Sequence, residues 1–166
     1  MTDHPIRLNG LMSTNPLLLA YDGSDDAAAA ITTAAALFTT RDAVVVTVWE
    51  PVAIWAPYDP AAVLGAGISK LGSGALGLDE IAREVAEETL ARGVAIATEA
   101  GFAARGQLAH GKPWQAICDT AGELDAAAIV LGARGLGRVE SILLGSVSTA
   151  VVARAHRPTL VIPRHG

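Results

Sequence analysis

The chain has 166 residues, 51% of them hydrophobic and 17% charged, a balance that excludes a disordered polypeptide and is large enough for a sizeable core. A formal net charge of −5 with a pI near 5.3 argues against a nucleic-acid partner, which needs a basic face, and aromatics at 4% leave little for stacking single strands. Cys118 is the only cysteine, so neither an intramolecular disulfide nor a cysteine metal cage can form.

Met1 to Asn15 is mixed and aperiodic and reads as a flexible leader, residues 1–15, ahead of a single domain over residues 16–166. It lacks the basic start and apolar core of a signal peptide. No run approaches the roughly 18 apolar residues of a membrane span, so a cytoplasmic protein with no membrane partner is expected.

Leu17 to Tyr21 is a first apolar strand, closed by Asp22-Gly23-Ser24. Ser24 is a good N-cap, with Asp25 and Asp26 in the first turn, where the helix dipole favours anions. An alanine-rich helix follows to about Thr40. Ala43 to Trp49 is a second buried strand. Glu50 to Gly77, rich in proline and glycine, reads as a long loop with one short helical turn near Pro60 to Leu64. Leu78 to Gly101 is the strongest helix, with Leu78, Ile81, Ala82, Val85, Ala86, Thr89, Gly93 and Ile96 on its inner face.

Phe102 to Leu108 is a third strand, weakened by Gly106. Pro113 suits the first position of the helix Trp114 to Leu124. Ala126 to Leu131 is the fourth strand. A glycine-punctuated loop precedes a last helix, Val147 to His156, and Thr159 to Pro163 is the fifth strand. Strand and helix alternate throughout, which predicts an α/β fold: a doubly wound, five-stranded parallel sheet with helices on both faces. A ligand is then expected outside the carboxyl ends of the strands.

The loop after strand four has a definite spacing. Gly132, Gly135, Gly145 and Ser146 give G-x2-G-x9-G-S, with Gly145-Ser146 at a helix start, where free N–H groups and the dipole favour phosphate. Competing motifs are absent. There is no G-x-x-x-x-G-K-[ST] and no G-x-S-x-G, and the dinucleotide fingerprint lacks its third glycine at Lys70 and again at Glu140. His4, His110, His156 and His165 have no metal spacing.

This spacing resembles the ATP-binding signature of the universal stress protein family, and the resemblance extends over about Pro16 to Pro163. It implies the strand order 3-2-1-4-5, which would set Asp22 and Gly132 at neighbouring strand ends. It also implies a nucleotide pocket with ATP and Mg²⁺ as cofactors. By it, Ala20, Tyr21 and Asp22 line the end of strand one, with Asp22 facing the ribose or a phosphate-bound Mg²⁺; read alone, Asp22 is equally a turn residue. The backbone of Val48 would meet the adenine edge, although Val48 also suits a core. Gly111 corresponds to the family's glycine after strand three, or simply permits the turn before Pro113. His110 precedes it and would lie near the pocket, or is a plain loop histidine.

Leu131, Gly132 and Gly135 would wrap the phosphates, and Gly145, Ser146 and Val147 would offer N–H groups. Arg134 and Arg138 would add charge or stay solvated. Ala133 stands where the family often has serine, which removes one hydroxyl. The implied function is an ATP-binding, nucleotide-dependent regulator of the stress response, with cyclic AMP as an alternative ligand. The other readings are a slow adenine-nucleotide hydrolase or phosphotransferase and a nucleotide-independent scaffold. No dedicated general base is visible, so efficient hydrolysis is not implied. The resemblance and the apolar strand 159–163 at a sheet edge point to a homodimer.

Overall fold

The computed structural model describes residues 15–38, 42–50, 74–135 and 144–163. Residues 1–14 of the expected leader, residues 51–73 of the loop Glu50 to Gly77, including the turn at 60–64, and Arg138 lie outside the described residues. Nine elements alternate among those that are described: β1 (Leu17–Ala20), α1 (Asp25–Leu37), β2 (Asp42–Trp49), α2 (Gly74–Glu99), β3 (Ala103–His110), α3 (Pro113–Glu123), β4 (Ala128–Gly132), α4 (Ser146–Arg154) and β5 (Thr159–Ile162). The five strands form one parallel sheet in the order β3-β2-β1-β4-β5, as the family resemblance implied.

Side-chain alternation along each strand divides the core into two layers. Leu17, Leu19, Tyr21, Val45 and Val130 face α1 and α2. Leu18, Val44, Val46, Ile129 and Leu131 face α3 and α4. Full burial of each such side chain stabilises by roughly 1.5–3 kcal/mol. The inner face of α1 is instead Ile31 with Ala27, Ala30 and Ala34, and the small alanine side chains let the helix seat close to the sheet.

Local signals account for the helix ends. Ser24 caps α1, its hydroxyl accepting from the Ala27 N–H at 3.2 Å. Pro113 opens α3. Gly101 ends α2 with φ +102°, and the bonds Gly101 N–H to Thr98 carbonyl and Phe102 N–H to Ala97 carbonyl complete a Schellman stop. Asp125 does the same for α3 at φ 48°, with the Ala126 N–H donating to the Ala121 carbonyl.

Three expectations shift. α2 begins at Gly74 rather than Leu78, because the helical ladder runs through Gly77 despite a propensity cost of about 1 kcal/mol. Val85 is 57% exposed rather than on the inner face; the buried line is Ala86, Thr89, Gly93 and Ala97, flanked by Leu90 and Val94. Gly106 does not interrupt β3, which runs past the expected Leu108 to His110 in register with Trp49. Leu90 and Val94 of α2 fill the space beside Gly106, within 3.0–3.2 Å of where a Cβ would stand.

Candidate functional site

The order β2-β1-β4 brings the ends of the central strands together. Beyond Ala20 the chain turns at Asp22, whose Oδ1 accepts the Ser24 N–H at 2.9 Å. This local ring is one that aspartate forms readily in turns, and it leaves the carboxylate exposed. Its Oδ2 points at Gly135: a Cβ on Gly135 would lie 2.5 Å from it. Two residues 113 positions apart in the chain, by their numbers, thus meet because β1 and β4 are neighbours. A side chain at Gly135 would push the carboxylate away.

Tyr21 is held at both backbone groups. Its N–H donates to the Val46 carbonyl at 2.9 Å, and its carbonyl accepts the buried Thr47 hydroxyl at 2.9 Å. Its ring lies in the α1/α2 layer, within 2.6 Å of where a Cβ on Gly93 would stand. Tyr21 is therefore a core residue that anchors the strand ahead of Asp22. Ala20, Val48 and Val147 all pack into the α3/α4 layer and stay half-buried, an apolar floor on the face where α4 begins. Val48 pairs with Ala109.

Gly111, at φ +107°, donates its N–H to the Trp49 carbonyl at 3.0 Å. It lies past β3, the strand furthest from the β4 loop. His110 is exposed there with its ring 6.2 Å from that of Trp49.

The glycine loop is built on close backbone approach. Leu131 and Gly132 are buried in β4 opposite Val161 and Ile162. A Cβ on Gly132 would meet the backbone of Asp26 and Ala27 at 2.8–2.9 Å, so this glycine admits the first turn of α1. Arg134 reaches the same turn. Its Nε lies 3.3 Å from Asp26 Oδ2, with the side chains 34% and 13% exposed. Of the two roles expected for Arg134, phosphate partner or solvated residue, neither is the whole account: its Nε faces a carboxylate, and the remaining guanidinium donors have capacity for another partner.

At the far end of the loop the Gly145 N–H donates to the Ala133 carbonyl at 2.7 Å. It is therefore not a free donor, contrary to the sequence expectation. The ladder of α4 starts with the Thr149 N–H to the Gly145 carbonyl at 2.9 Å, and Gly145 supplies no side-chain cap. The amides of Ser146 and Val147 precede that ladder, where backbone donors and the dipole's positive end favour an anion. Ser146 is exposed and Val147 half-buried.

Two residues escaped the sequence reading. Asp26 appeared only as a favourable first-turn charge, although it also fixes Arg134. Ser148 is buried, and its hydroxyl lies 2.9 Å from the Gly132 carbonyl and 3.1 Å from that of Ala133. A serine three residues past the last motif glycine was the only local trace of it. Among the described residues no group of three His, Cys, Asp or Glu side chains could hold a metal, and no helix is long and apolar enough to cross a membrane.

Comparison with known proteins agrees with the fold. The family model for the universal stress protein family matches residues 14–163. A Thermus aquaticus protein, the universal stress protein in the QAH/OAS sulfhydrylase 3′ region, is 34% identical over 152 residues, covering 88% of this chain and 96% of that one. The structure of the universal stress protein UspA from Lactobacillus plantarum superposes with a TM-score of 0.68 at 22% identity, covering 91% of this chain and 99% of the other. The universal stress protein from Archaeoglobus fulgidus, solved in complex with dAMP, matches at 27% identity with a TM-score of 0.60, over 89% of this chain and 97% of its own.

Proposed function

The chain belongs to the universal stress protein family, and on that premise we propose that it binds an adenine nucleotide, ATP with Mg²⁺, across the carboxyl ends of β1 and β4. The base and ribose rest on Ala20, Val48 and Val147. The phosphates lie along Gly135 and take the amides of Ser146 and Val147. The observation that supports this most is the meeting of Asp22 with Gly135 beside an α4 N-terminus that has no side-chain cap. A phosphate there would supply the cap. The dAMP complex of the Archaeoglobus relative supports an adenine ligand.

The donor set fits a cation held mainly by phosphate oxygens and water. Asp22 offers one carboxylate, with Oδ1 already accepting from Ser24, and Mg²⁺ typically keeps few protein ligands. Bound there, Mg²⁺ supplies positive charge that offsets the phosphates beside Asp22. We read the protein as a cytoplasmic, nucleotide-dependent regulator of the stress response, one domain over residues 16–166, and as a homodimer paired through β5. The Ile129 and Ala133 N–H groups donate to the Pro158 and Ile162 carbonyls. In a parallel pair this turns the backbone of Thr159 and Val161 to the outer edge, the template a second copy needs.

Titration calorimetry with ATP, dAMP and cyclic AMP, with and without Mg²⁺, tests the reading. Saturable binding of one nucleotide per chain, tightest for ATP with Mg²⁺, is expected. No binding heat, together with no nucleotide released on denaturing the pure protein, would return the chain to a scaffold role. Steady phosphate release above about one turnover per minute, roughly 10⁻² s⁻¹, would make it a hydrolase.

A further inference from the structure

Ser148 is a buried polar side chain, 4% exposed, in the first turn of α4, and its hydroxyl is turned to the end of β4. Its hydroxyl has one proton and two acceptors, the Gly132 carbonyl at 2.9 Å and the Ala133 carbonyl at 3.1 Å. The Ala133 carbonyl also takes the Gly145 N–H at 2.7 Å, and the Ala133 N–H donates to the Ile162 carbonyl at 3.0 Å. The end of β4 and the start of α4 are thus closed into one ring, with β5 bonded to its outer side. Gly135 lies close to that ring, its backbone nitrogen 3.9 Å from where a Cβ on Gly145 would stand, and Ser146 and Val147 follow Gly145.

We infer that Ser148 is a positioning residue for the nucleotide site, an inference that rests on the adenine-nucleotide reading above. It touches no ligand. It sets how far the α4 amides stand from Gly135 and Asp22, so phosphate meets donors already in place and the loop carries less ordering cost on binding. Alanine at 148 keeps α4 helical, since alanine is the best helix former. It leaves Gly132 and Ala133 without the hydroxyl, and the ring is then held by the Gly145 N–H.

The test compares wild type, Ser148→Ala and Ser148→Thr by calorimetry with ATP and Mg²⁺, beside thermal melts. Ile31→Val, 1% exposed in the opposite layer, serves as a destabilised control away from the site. Ser148→Ala should bind about tenfold more weakly, the scale of one well-aligned hydrogen bond. Ser148→Thr, which keeps the hydroxyl, should recover most of that affinity. Ile31→Val should melt earlier and bind as wild type does.

Wild-type affinity in a folded Ser148→Ala, or an equal affinity loss in Ile31→Val at the same fall in Tm, would overturn the positioning role while leaving the nucleotide reading intact. If Ser148→Ala fails to fold, Ser148→Val, the shape of the threonine variant without its hydroxyl, carries the same comparison, and wild-type affinity in it would overturn the role. A wild type that binds no adenine nucleotide would remove the nucleotide reading and this role together.

Discussion

Replacing Gly135 by alanine should damage the site more than the same change at Gly145, although both glycines belong to one motif. At Gly135 the new Cβ would stand 2.5 Å from Asp22 Oδ2. Relief requires about 1 Å of movement to reach an ordinary contact. Either the loop retreats or the Asp22 carboxylate swings and gives up the Ser24 N–H at 2.9 Å. The second course costs about 0.5–1.5 kcal/mol of an exposed hydrogen bond.

If the loop retreats instead, one charge-assisted bond to phosphate is lost, worth about 1.5–3 kcal/mol, or roughly 10- to 150-fold in Kd. At Gly145 a Cβ would meet nothing nearer than the Ala133 carbonyl at 3.4 Å, and φ is −67°, which any residue adopts. Calorimetry with ATP and Mg²⁺ on both folded variants, with far-UV spectra and melts to confirm the fold, measures the contrast. Gly135→Ala binding as wild type, or Gly145→Ala binding more weakly than Gly135→Ala, would refute the assignment of the Asp22–Gly135 approach to the site.

Asp22→Ala should weaken ATP more with Mg²⁺ present than without it, because a carboxylate facing a metal matters only when the metal is bound; equal losses in paired titrations would make Asp22 a turn residue alone. Val161→Pro removes an outward N–H from β5 while sparing the bonds to β4, so light scattering should fall from twice the chain mass to one, and a folded variant that stays dimeric would move the interface elsewhere. The Arg157 guanidinium, 2.5 Å from Asp125, and the Asn15 amide hold the Asp125 carboxyl below its ordinary value. Its contribution is therefore present above the unfolded value of about 3.9 and is lost as pH falls through the lower folded value. The Tm advantage of wild type over Asp125→Asn should shrink between about pH 5 and pH 3, and an advantage that grows over that range would show that the pair does not stabilise the fold.

Signals that act over a few residues were legible in the chain. Apolar runs, the Ser24 cap, Pro113 at a helix start and the glycine spacing all depend on neighbours along the backbone, and each strand and helix stands within a few residues of where they put it. Sequence identifies Gly132 as special because glycine permits close approach. Tertiary structure decided what approaches: the alanine-lined α1 sits so near the sheet that its first turn fills that space. Val85 fits a helical apolar pattern yet faces outward, because the rotation of α2 follows its packing against Tyr21, Val45 and Gly106. Ser148 and the Arg134–Asp26 pair were invisible for the same reason. Their partners lie 16 and 108 residues away in the chain, and a hydrogen bond or ion pair across such a span exists only once the parallel sheet has set β4 beside β1 and brought both helices to its carboxyl edge.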